Sequence, residues 1–225
     1  MAKLYYNCPG GAFGDCMPFG KDSVFYLYYL KDTRKPPEHR DPLDWQLVLT
    51  RDFVHYEDLG TAIPGGTPEE QDRSVISGSV VEGGGKYHAF YTGENLAFPA
   101  QGRPAQFQLH AVSEDLLHWT KTGPIEGVPT QPGYDPDDWR DPFVFWCQEQ
   151  EEYLMLLGGR KAGPKTQQTG RTVQFASKDL EHWEFRGDFW APDLYTMHEM
   201  PDLFYMDGWW YHIITEYSHR SKMIY

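Results

Sequence analysis

Short apolar runs of strand length recur along the chain, each close to a turn signal. They lie at residues 24–30, 87–91, 153–157 and 210–214, and a glycine run at 83–85 is typical of the turns that precede them. No segment keeps a helical period of 3.6 residues over three turns. The pattern therefore predicts an all-β fold made of antiparallel pairs. The first strands of these pairs are expected at residues 17–20, 79–82, 143–146 and 201–205.

One five-residue phrase recurs three times at a nearly constant spacing. It reads Asp-Phe-Val-His-Tyr at residues 52–56, Asp-Leu-Leu-His-Trp at 115–119 and Asp-Leu-Glu-His-Trp at 179–183, so that successive copies begin 63 and 64 residues apart. Four antiparallel strands in about 60 residues make one blade of a β-propeller. An irregular β-sandwich also uses many short strands, but it has no reason to keep this period. The repeat therefore predicts a propeller.

The length allows about three and a half blades of this size. We expect a single partial propeller domain over residues 1–225, with blades at 12–72, 73–134, 135–195 and, incomplete, 196–225. The last unit is expected to stop after two strands and to leave an apolar edge open. Either the sequence is part of a longer protein, or another copy of the chain covers that edge as a homo-oligomer.

The charge and the ring content favour an uncharged ligand. The chain has 33 Asp and Glu against 20 Lys and Arg, a formal net charge of −13. Nucleic-acid-binding proteins usually present a basic face, so nucleic acid is not expected as a partner. The 8 Trp and 15 Tyr residues offer flat surfaces for sugar rings. We therefore expect an oligosaccharide or a small glycoside as substrate.

The same sequence predicts neither a membrane span nor a metal site. Its longest apolar run is far shorter than the roughly 20 residues that a bilayer crossing needs. The first residues lack the apolar core of a signal peptide, so we expect a cytoplasmic protein. Nine histidines lie singly and three cysteines are scattered, without the spacing of metal ligands or of a disulfide framework. No cofactor is expected. The acidic run at 135–138 is expected to be solvated, and calcium binding there is the alternative.

Three acidic residues stand where the innermost strand of a blade begins, at one end of the central channel. They are Asp15, Asp141 and Glu199. Carboxylates crowded around one channel repel each other, which favours a functional reason for their presence. Two converging carboxyl groups are what glycoside hydrolysis requires, one as nucleophile or base and one as acid. A second Arg-Asp-Pro tripeptide at 40–42 lies in a polar loop and is interpreted as a decoy.

In this order the motifs resemble those of glycoside hydrolase family 32, the β-fructosidases that include invertases and levanases. The matching phrases are Thr-Arg-Asp-Phe-Val-His-Tyr at 50–56, Ser-Gly-Ser at 77–79, Tyr-Thr-Gly at 91–93, Arg-Asp-Pro at 140–142 and Glu-Met-Pro-Asp-Leu-Phe at 199–204. The resemblance implies a five-bladed β-propeller and a retaining mechanism. It makes Asp15 the nucleophile, Glu199 the acid/base and Asp141 the transition-state stabiliser. Substrate contacts are expected from Arg140, Ser77, Trp45 and His198.

The first motif departs from the family pattern. The family reads Trp-Met-Asn-Asp-Pro-Asn-Gly, and here Gly14 and Met17 stand in place of the two Asn residues around Asp15. In the family both Asn side chains touch the fructosyl unit, so the resemblance extends to the acids but not to this subsite. Met200 also replaces the Cys beside the acid/base.

Two other functions fit part of the pattern. Family 43 arabinosidases and xylosidases use Asp, Asp and Glu in the same chain order but invert configuration. A non-catalytic carbohydrate-binding propeller would keep the aromatic residues and the turns, although it would have no reason to keep all three acids. The retaining mechanism predicts a separation of roughly 5–6 Å between the Asp15 and Glu199 carboxyl groups, and inversion a separation nearer ~9 Å.

Overall fold

The computed structural model describes residues 5–33, 35, 41–217 and 222–224. In these residues all regular secondary structure is β-strand, apart from one 3-10 turn at Pro99–Gln101. Within the same residues no helix has the length and apolar character that a membrane crossing requires. The strands are β1 (Ala12–Lys21), β2 (Val24–Asp32), β3 (Trp45–Thr50), β4 (Tyr56–Ile63), β5 (Ser74–Gly83), β6 (Lys86–Glu94), β7 (Gln106–Ser113), β8 (Thr120–Pro124), β9 (Tyr134–Cys147), β10 (Glu152–Lys161), β11 (Gly170–Ser177), β12 (Glu184–Trp190), β13 (Met197–Met206), β14 (Trp209–Tyr217) and β15 (Lys222–Ile224).

The strands form four antiparallel sheets in chain order, which we call blades 1 to 4. Blades 1 to 3 have four strands each (β1–β4, β5–β8 and β9–β12), and blade 4 has β13, β14 and β15. The first strands of successive blades pack on one another, β1 on β5, β5 on β9 and β9 on β13. This arrangement confirms the predicted propeller type. The expectation of two strands in the last unit was wrong, because residues 222–224 add a third strand to β14.

The recurring Asp-x-x-His phrase forms the turn between the third and fourth strands of a blade. In blade 3, Asp179 Oδ1 accepts the N–H groups of Glu181 and His182 at 2.9 and 2.8 Å, and Asp179 Oδ2 pairs with His182 Nδ1 at 2.8 Å. Ser177 Oγ accepts the N–H of Leu180, which adopts a φ of 67°. The period seen in the sequence therefore comes from one turn structure used three times. The same contacts join Asp52 to Val54 and His55, and Asp115 to Leu117 and His118.

Apolar side chains fill the spaces between blades. Leu116, at the turn of blade 2, lies in one core cluster with Tyr28 of blade 1 and accepts a hydrogen bond from the Tyr28 hydroxyl on its carbonyl at 2.6 Å. Leu180, at the same turn position of blade 3, packs with Phe90 of blade 2. The core is thus a series of inter-blade layers, as expected for sheets buried on both faces.

Blade 4 exposes large apolar side chains. Trp209 is 71% exposed and Tyr205 60%, and Trp210, Tyr211 and Ile213 are also exposed. Several large apolar side chains exposed on one sheet are typical of an interaction surface. The expectation that it promotes association with another copy of the chain stays a prediction.

Each innermost strand is irregular at the same level of the propeller. A bulge bends the backbone of a strand and redirects the side chains beside it. These irregularities turn side chains of four different strands toward one end of the channel. They fall between Phe13 and Cys16 in β1, between Val75 and Gly78 in β5, at Asp141 and Pro142 in β9 (opposite Leu156 and Gly158), and between Glu199 and Asp202 in β13.

Candidate active site

The three predicted acids meet in one cavity. Asp15 comes from β1, Asp141 from β9 and Glu199 from β13, and all three line a cavity of about 370 Å³. Ser77 of β5 and Arg140 of β9 line the same cavity. Four blades therefore contribute polar side chains to a single site.

Asp141 is the most enclosed of the acids. Its backbone has a φ of 65°, and its N–H donates to Thr92 Oγ1 at 2.9 Å, which fixes this strained residue. Its Oδ2 accepts the N–H of Met200 from blade 4 at 3.0 Å. Burial, together with the negative charges of Glu199 and Asp15, raises the pKa of Asp141 to about 6, against the opposing effects of Arg140 and the Met200 N–H.

Arg140 connects the Arg-Asp-Pro strand to the acid on blade 4. Its Nη2 donates to Glu199 Oε1 at 2.7 Å, and its Nε lies 4.0 Å from Asp141 Oδ2. The Arg140 side chain is only 14% exposed, so this ion pair is shielded from water. Such a charge-assisted bond fixes the position of the Glu199 carboxylate.

Asp15 is held from the neighbouring blade. Ser77 Oγ donates to Asp15 Oδ2 at 2.8 Å. A Cβ on Gly14 would come within 2.7 Å of the Leu30 carbonyl oxygen, so the backbone here has no room for the Asn side chain found in the family motif. The position before Asp15 therefore differs from the family motif in the space around the backbone as well as in residue type.

Two of the predicted substrate contacts are core residues. Trp45 has 0% exposure and donates from Nε1 to the Ile76 carbonyl at 2.9 Å, within the layer between blades 1 and 2. His198 is also 0% exposed, and its ring nitrogens lie 3.1 Å from Thr172 Oγ1 and 3.3 Å from the Leu194 carbonyl. Burial lowers the pKa of His198 to about 4. A side chain without exposed surface does not touch a sugar, so the structure corrects both expectations.

The acidic run at 135–138 is an ion-pair network rather than a solvated loop. Asp138 is buried and pairs with Arg160 Nε at 2.7 Å and with Lys165 Nζ at 2.9 Å, and Asp135 also pairs with Arg160. The described part of the chain holds no group of three or more His, Cys, Asp and Glu residues that would suit a metal ion. In the tripeptide at 40–42, Arg40 lies outside the described residues and Asp41 is exposed beside Lys35.

A larger cavity, of about 670 Å³, lies between blades 2 and 3. The Asp179 carboxylate on its wall is already used by the turn described above. His88 Nδ1 and His110 Nε2 in the same wall lie 2.9 Å apart, and burial lowers the pKa of His110 to about 4. Because the two rings pair with each other and the Asp179 carboxylate is used by the turn, these polar groups are not available to a substrate. This cavity is therefore not the better candidate for the active site, although it is the larger of the two.

Several residues at the site are absent from the sequence-based set, and three of them make contacts or add charge beside the predicted acids. Thr92 fixes the Asp141 backbone, Glu94 lines the cavity, and Asp138 contacts Arg140. A signal existed for Asp138, because residues two apart in a strand share a face, which places it beside Arg140. Thr92 and Glu94 lie at and just after the Tyr-Thr-Gly phrase, whose role the sequence alone does not reveal.

The fold and site together define a β-propeller with a cluster of carboxylates at one end of its channel. The model of the glycosyl hydrolases family 32 N-terminal domain matches residues 17–223, and the chain belongs to this family. Asp15 lies two residues before the matched range, so its place in the site rests on the geometry described above.

Relatives agree with this assignment. The chain is 30% identical over 175 residues to a levanase of Bacillus subtilis (strain 168), over 76% of the chain and 23% of the levanase. It is 25% identical to a fructan 6-exohydrolase of Triticum aestivum, over 90% of the chain and 33% of that enzyme. The structure of sucrose-6-phosphate hydrolase from Lactobacillus gasseri has the same fold, with a TM-score of 0.73 at 23% identity over 92% of this chain and 40% of that one. The chain thus spans about a third or less of these two curated relatives.

Proposed function

We propose that this chain carries the catalytic carboxylates of a glycoside hydrolase that cleaves a furanoside bond, namely that of a β-fructofuranoside, with retention of configuration. The observation that carries the proposal is the meeting of Asp15, Asp141 and Glu199 in one cavity. Family membership supports the reaction class, and the names of the relatives, a levanase and a fructan 6-exohydrolase, support the fructosyl unit.

The reaction proceeds in two displacements. In the first, an Asp15 carboxylate oxygen attacks the anomeric carbon while Glu199 donates its proton to the glycosidic oxygen, so that the leaving group departs as an alcohol. In the second, Glu199 takes a proton from water, whose oxygen attacks the anomeric carbon and releases Asp15 as a carboxylate. The hydrogen bond from Ser77 to Asp15 supports this role, because it orients the nucleophile and leaves the other oxygen available.

Asp141 stabilises the transition state by accepting hydrogen bonds from sugar hydroxyl groups, next to the anomeric carbon where positive charge develops. Its contacts with Met200 and Thr92 support this role, since they hold the carboxylate in place before the substrate binds.

The charge around the cavity supports an uncharged furanoside over a phosphorylated one. Asp32 and Glu94 line the cavity in addition to the three acids, and Arg140 is the only cation among its described lining residues. Arg140 is already paired with Glu199 and Asp138. A phosphate group would therefore meet several carboxylates at short range, which costs free energy.

The test is sugar release from a panel of sucrose, inulin and levan fragments, arabinan and aryl arabinofuranosides, by wild type and Glu199→Gln. Glu216→Gln is the matched control, because Glu216 is a buried glutamate of β14 outside the cavity lining. The proposal predicts fructose release by wild type and Glu216→Gln that is lost in Glu199→Gln. Activity on arabinosides alone would favour the inverting alternative, and a folded protein without any activity would favour the carbohydrate-binding one.

A further inference from the structure

Arg140 is surrounded by three carboxylates, and one of them lies outside the cavity. Nη2 bonds Glu199 and Nε faces Asp141, as described above, while Nη1 donates to Asp138 Oδ1 at 3.2 Å. Asp138 does not line the cavity, and its side chain is 8% exposed. It therefore contacts the site only through Arg140.

Asp138 is itself held on its far side. Arg160 Nε donates to Asp138 Oδ2 at 2.7 Å, and the Arg160 side chain is 3% exposed. Arg160 Nη1 donates to the carbonyls of Lys161 and Gly163 at 3.0 and 2.9 Å, which fixes the guanidinium plane. Lys165 adds a second cation to the same Asp138 oxygen. A buried carboxylate with this many partners has one position available to it.

Asp138 is negatively charged throughout the pH range of interest. Burial alone would raise its pKa, but the hydrogen bonds from Arg160 and Lys165 and the charge of Arg140 lower the pKa of Asp138 to about 2. Arg140 is thus held by a permanent carboxylate on the side away from the cavity, whatever the protonation state of Glu199.

We propose that Asp138, fixed by Arg160, is a positioning residue that aims the Arg140 guanidinium at Glu199 and balances part of its positive charge. This inference rests on the proposed role of Glu199. The role of Asp138 is electrostatic as well as geometric. When Glu199 is protonated, the Asp138 carboxylate still balances part of the positive charge of Arg140. Without Asp138, the carboxylates left to Arg140 are Glu199 and Asp141, beside the uncharged Gln106 side chain and the Asp137 carbonyl at 3.4 Å each, and Glu199 holds its proton less tightly.

Other charged groups face Glu199 and must be unchanged in the test. The cavity brings Asp15, Asp32, Glu94 and Asp141 toward it in addition to Arg140. Replacing Asp138 alters none of these carboxylates, but it also removes the partner of Arg160 and Lys165, so a change in the titration of Glu199 reports on Asp138 together with the cations that it balances.

The experiment compares Asp138→Asn, Asp138→Glu and the control Asp188→Asn. Asp188 lies 3.5 Å from the buried Arg171 in the same sheet and makes no contact with Arg140. The first readout is the ¹³C titration of glutamate carboxyl groups in the full chain, with Glu199 identified by the signal that Glu199→Gln lacks. The second is kcat and KM for a furanoside as a function of pH.

We expect the Glu199 midpoint to fall by roughly half a pH unit or more in Asp138→Asn and to stay at the wild-type value in Asp188→Asn. The basic limb of kcat/KM should move to lower pH with it, and kcat should fall about tenfold with little change in KM. Asp138→Glu keeps the charge, so its titration should match wild type while kcat stays reduced. This variant also decides the question if Asp138→Asn does not fold.

A Glu199 midpoint and a kcat in Asp138→Asn equal to those of Asp188→Asn would overturn the inference. So would an Asp138→Glu variant with full wild-type kcat, because position would then not matter. The titration does not need turnover. A wild type that releases no sugar would count against the proposed function, while the Glu199 midpoints would still decide whether Asp138 acts on this residue.

Discussion

The hydroxyl of Ser77 donates a 2.8 Å hydrogen bond to the carboxylate of Asp15, joining blade 2 to blade 1 at the candidate active site. Ser77 is 3% exposed and lies at the irregularity of β5. A Cβ on the next residue, Gly78, would come within 2.0 Å of the Phe90 carbonyl oxygen, so the strand reaches this position only with glycine there. The Ser-Gly-Ser phrase thus combines a side chain that orients Asp15, a glycine that lets the strand pass close to the Phe90 carbonyl, and Ser79, whose hydroxyl donates to the Pro142 carbonyl and accepts the Val144 N–H of blade 3.

Replacing Ser77 by alanine should slow turnover without unfolding the protein. A hydrogen bond to a charged group is worth about 1.5–3 kcal/mol, so kcat/KM for a furanoside should fall roughly tenfold to a hundredfold. Ser113→Ala is the control, because Ser113 is equally buried in blade 2 but belongs to a turn. It should lower the melting temperature and leave kcat/KM near wild type. Equal kinetics for both variants would show that Ser77 does not orient a nucleophile.

Asp141→Asn should abolish activity and yet stabilise the protein at neutral pH. Burial raises the pKa of Asp141 to about 6, above its value in the unfolded chain, so its favourable contribution is complete below about pH 4 and is lost as the pH rises through about 6. Asparagine avoids this loss. Urea unfolding should give a variant more stable than wild type at pH 7.5, by on the order of 2 kcal/mol, with the gap closing toward pH 4.

Asp138→Asn should lower the stability at neutral pH, and it is the control for the urea unfolding of Asp141→Asn. The pKa of Asp138 is lowered to about 2, so its contribution is present at neutral pH and is lost only as the pH falls toward 2. The variant should be less stable than wild type at pH 7.5. A stability gain in Asp138→Asn, or no gain in Asp141→Asn, would contradict the charge balance described for this site.

The repeated turn provides a matched test of inter-blade packing. Leu180 and Phe53 occupy the same position with positive φ, but Leu180 is 3% exposed and Phe53 47%. Leu180→Ala should lower the free energy of unfolding by about 2–5 kcal/mol, because it empties a packed layer. Phe53→Ala should cost less than about 1 kcal/mol in this chain. Equal losses would mean that the turn, and not the layer between blades, provides the stability.

Glu94 should discriminate against phosphorylated substrates. Wild type should prefer sucrose to sucrose 6-phosphate, and Glu94→Lys should raise the ratio of kcat/KM for the phosphate ester to that for sucrose by roughly tenfold. Glu82→Lys makes the same charge change on an exposed residue of blade 2 outside the cavity and should leave the ratio unchanged. A wild type that prefers the phosphate ester would contradict the proposed substrate class.

Much of the fold was accessible from the sequence because the blade turn is local. Asp, Ser or Thr, and His within six residues make the side-chain hydrogen bonds that close the turn, so the phrase and its period report the structure directly. The acids were accessible because a family motif fixes their order. What the sequence does not contain is the bulge in each inner strand, which decides which of two adjacent side chains enters the cavity. His198 was assigned to the cavity for this reason, because it lies next to the bulge that begins at Glu199. Trp45 lies in β3, outside the inner strands, and its burial between blades 1 and 2 is a tertiary contact that the local sequence does not report. Asp138 was expected in a solvated run, although it lies in β9.

The stereochemistry of the first product tests the central claim, that Asp15 and Glu199 cleave a fructoside through a glycosyl-enzyme. Sucrose or a levan fragment is supplied with methanol as a competing acceptor, and the early products are followed by ¹³C NMR for wild type and Glu199→Gln. We expect methyl β-fructofuranoside from wild type and none from Glu199→Gln. Free α-fructofuranose without any methyl β-fructofuranoside would contradict it, because a single inverting displacement by water would then be the mechanism.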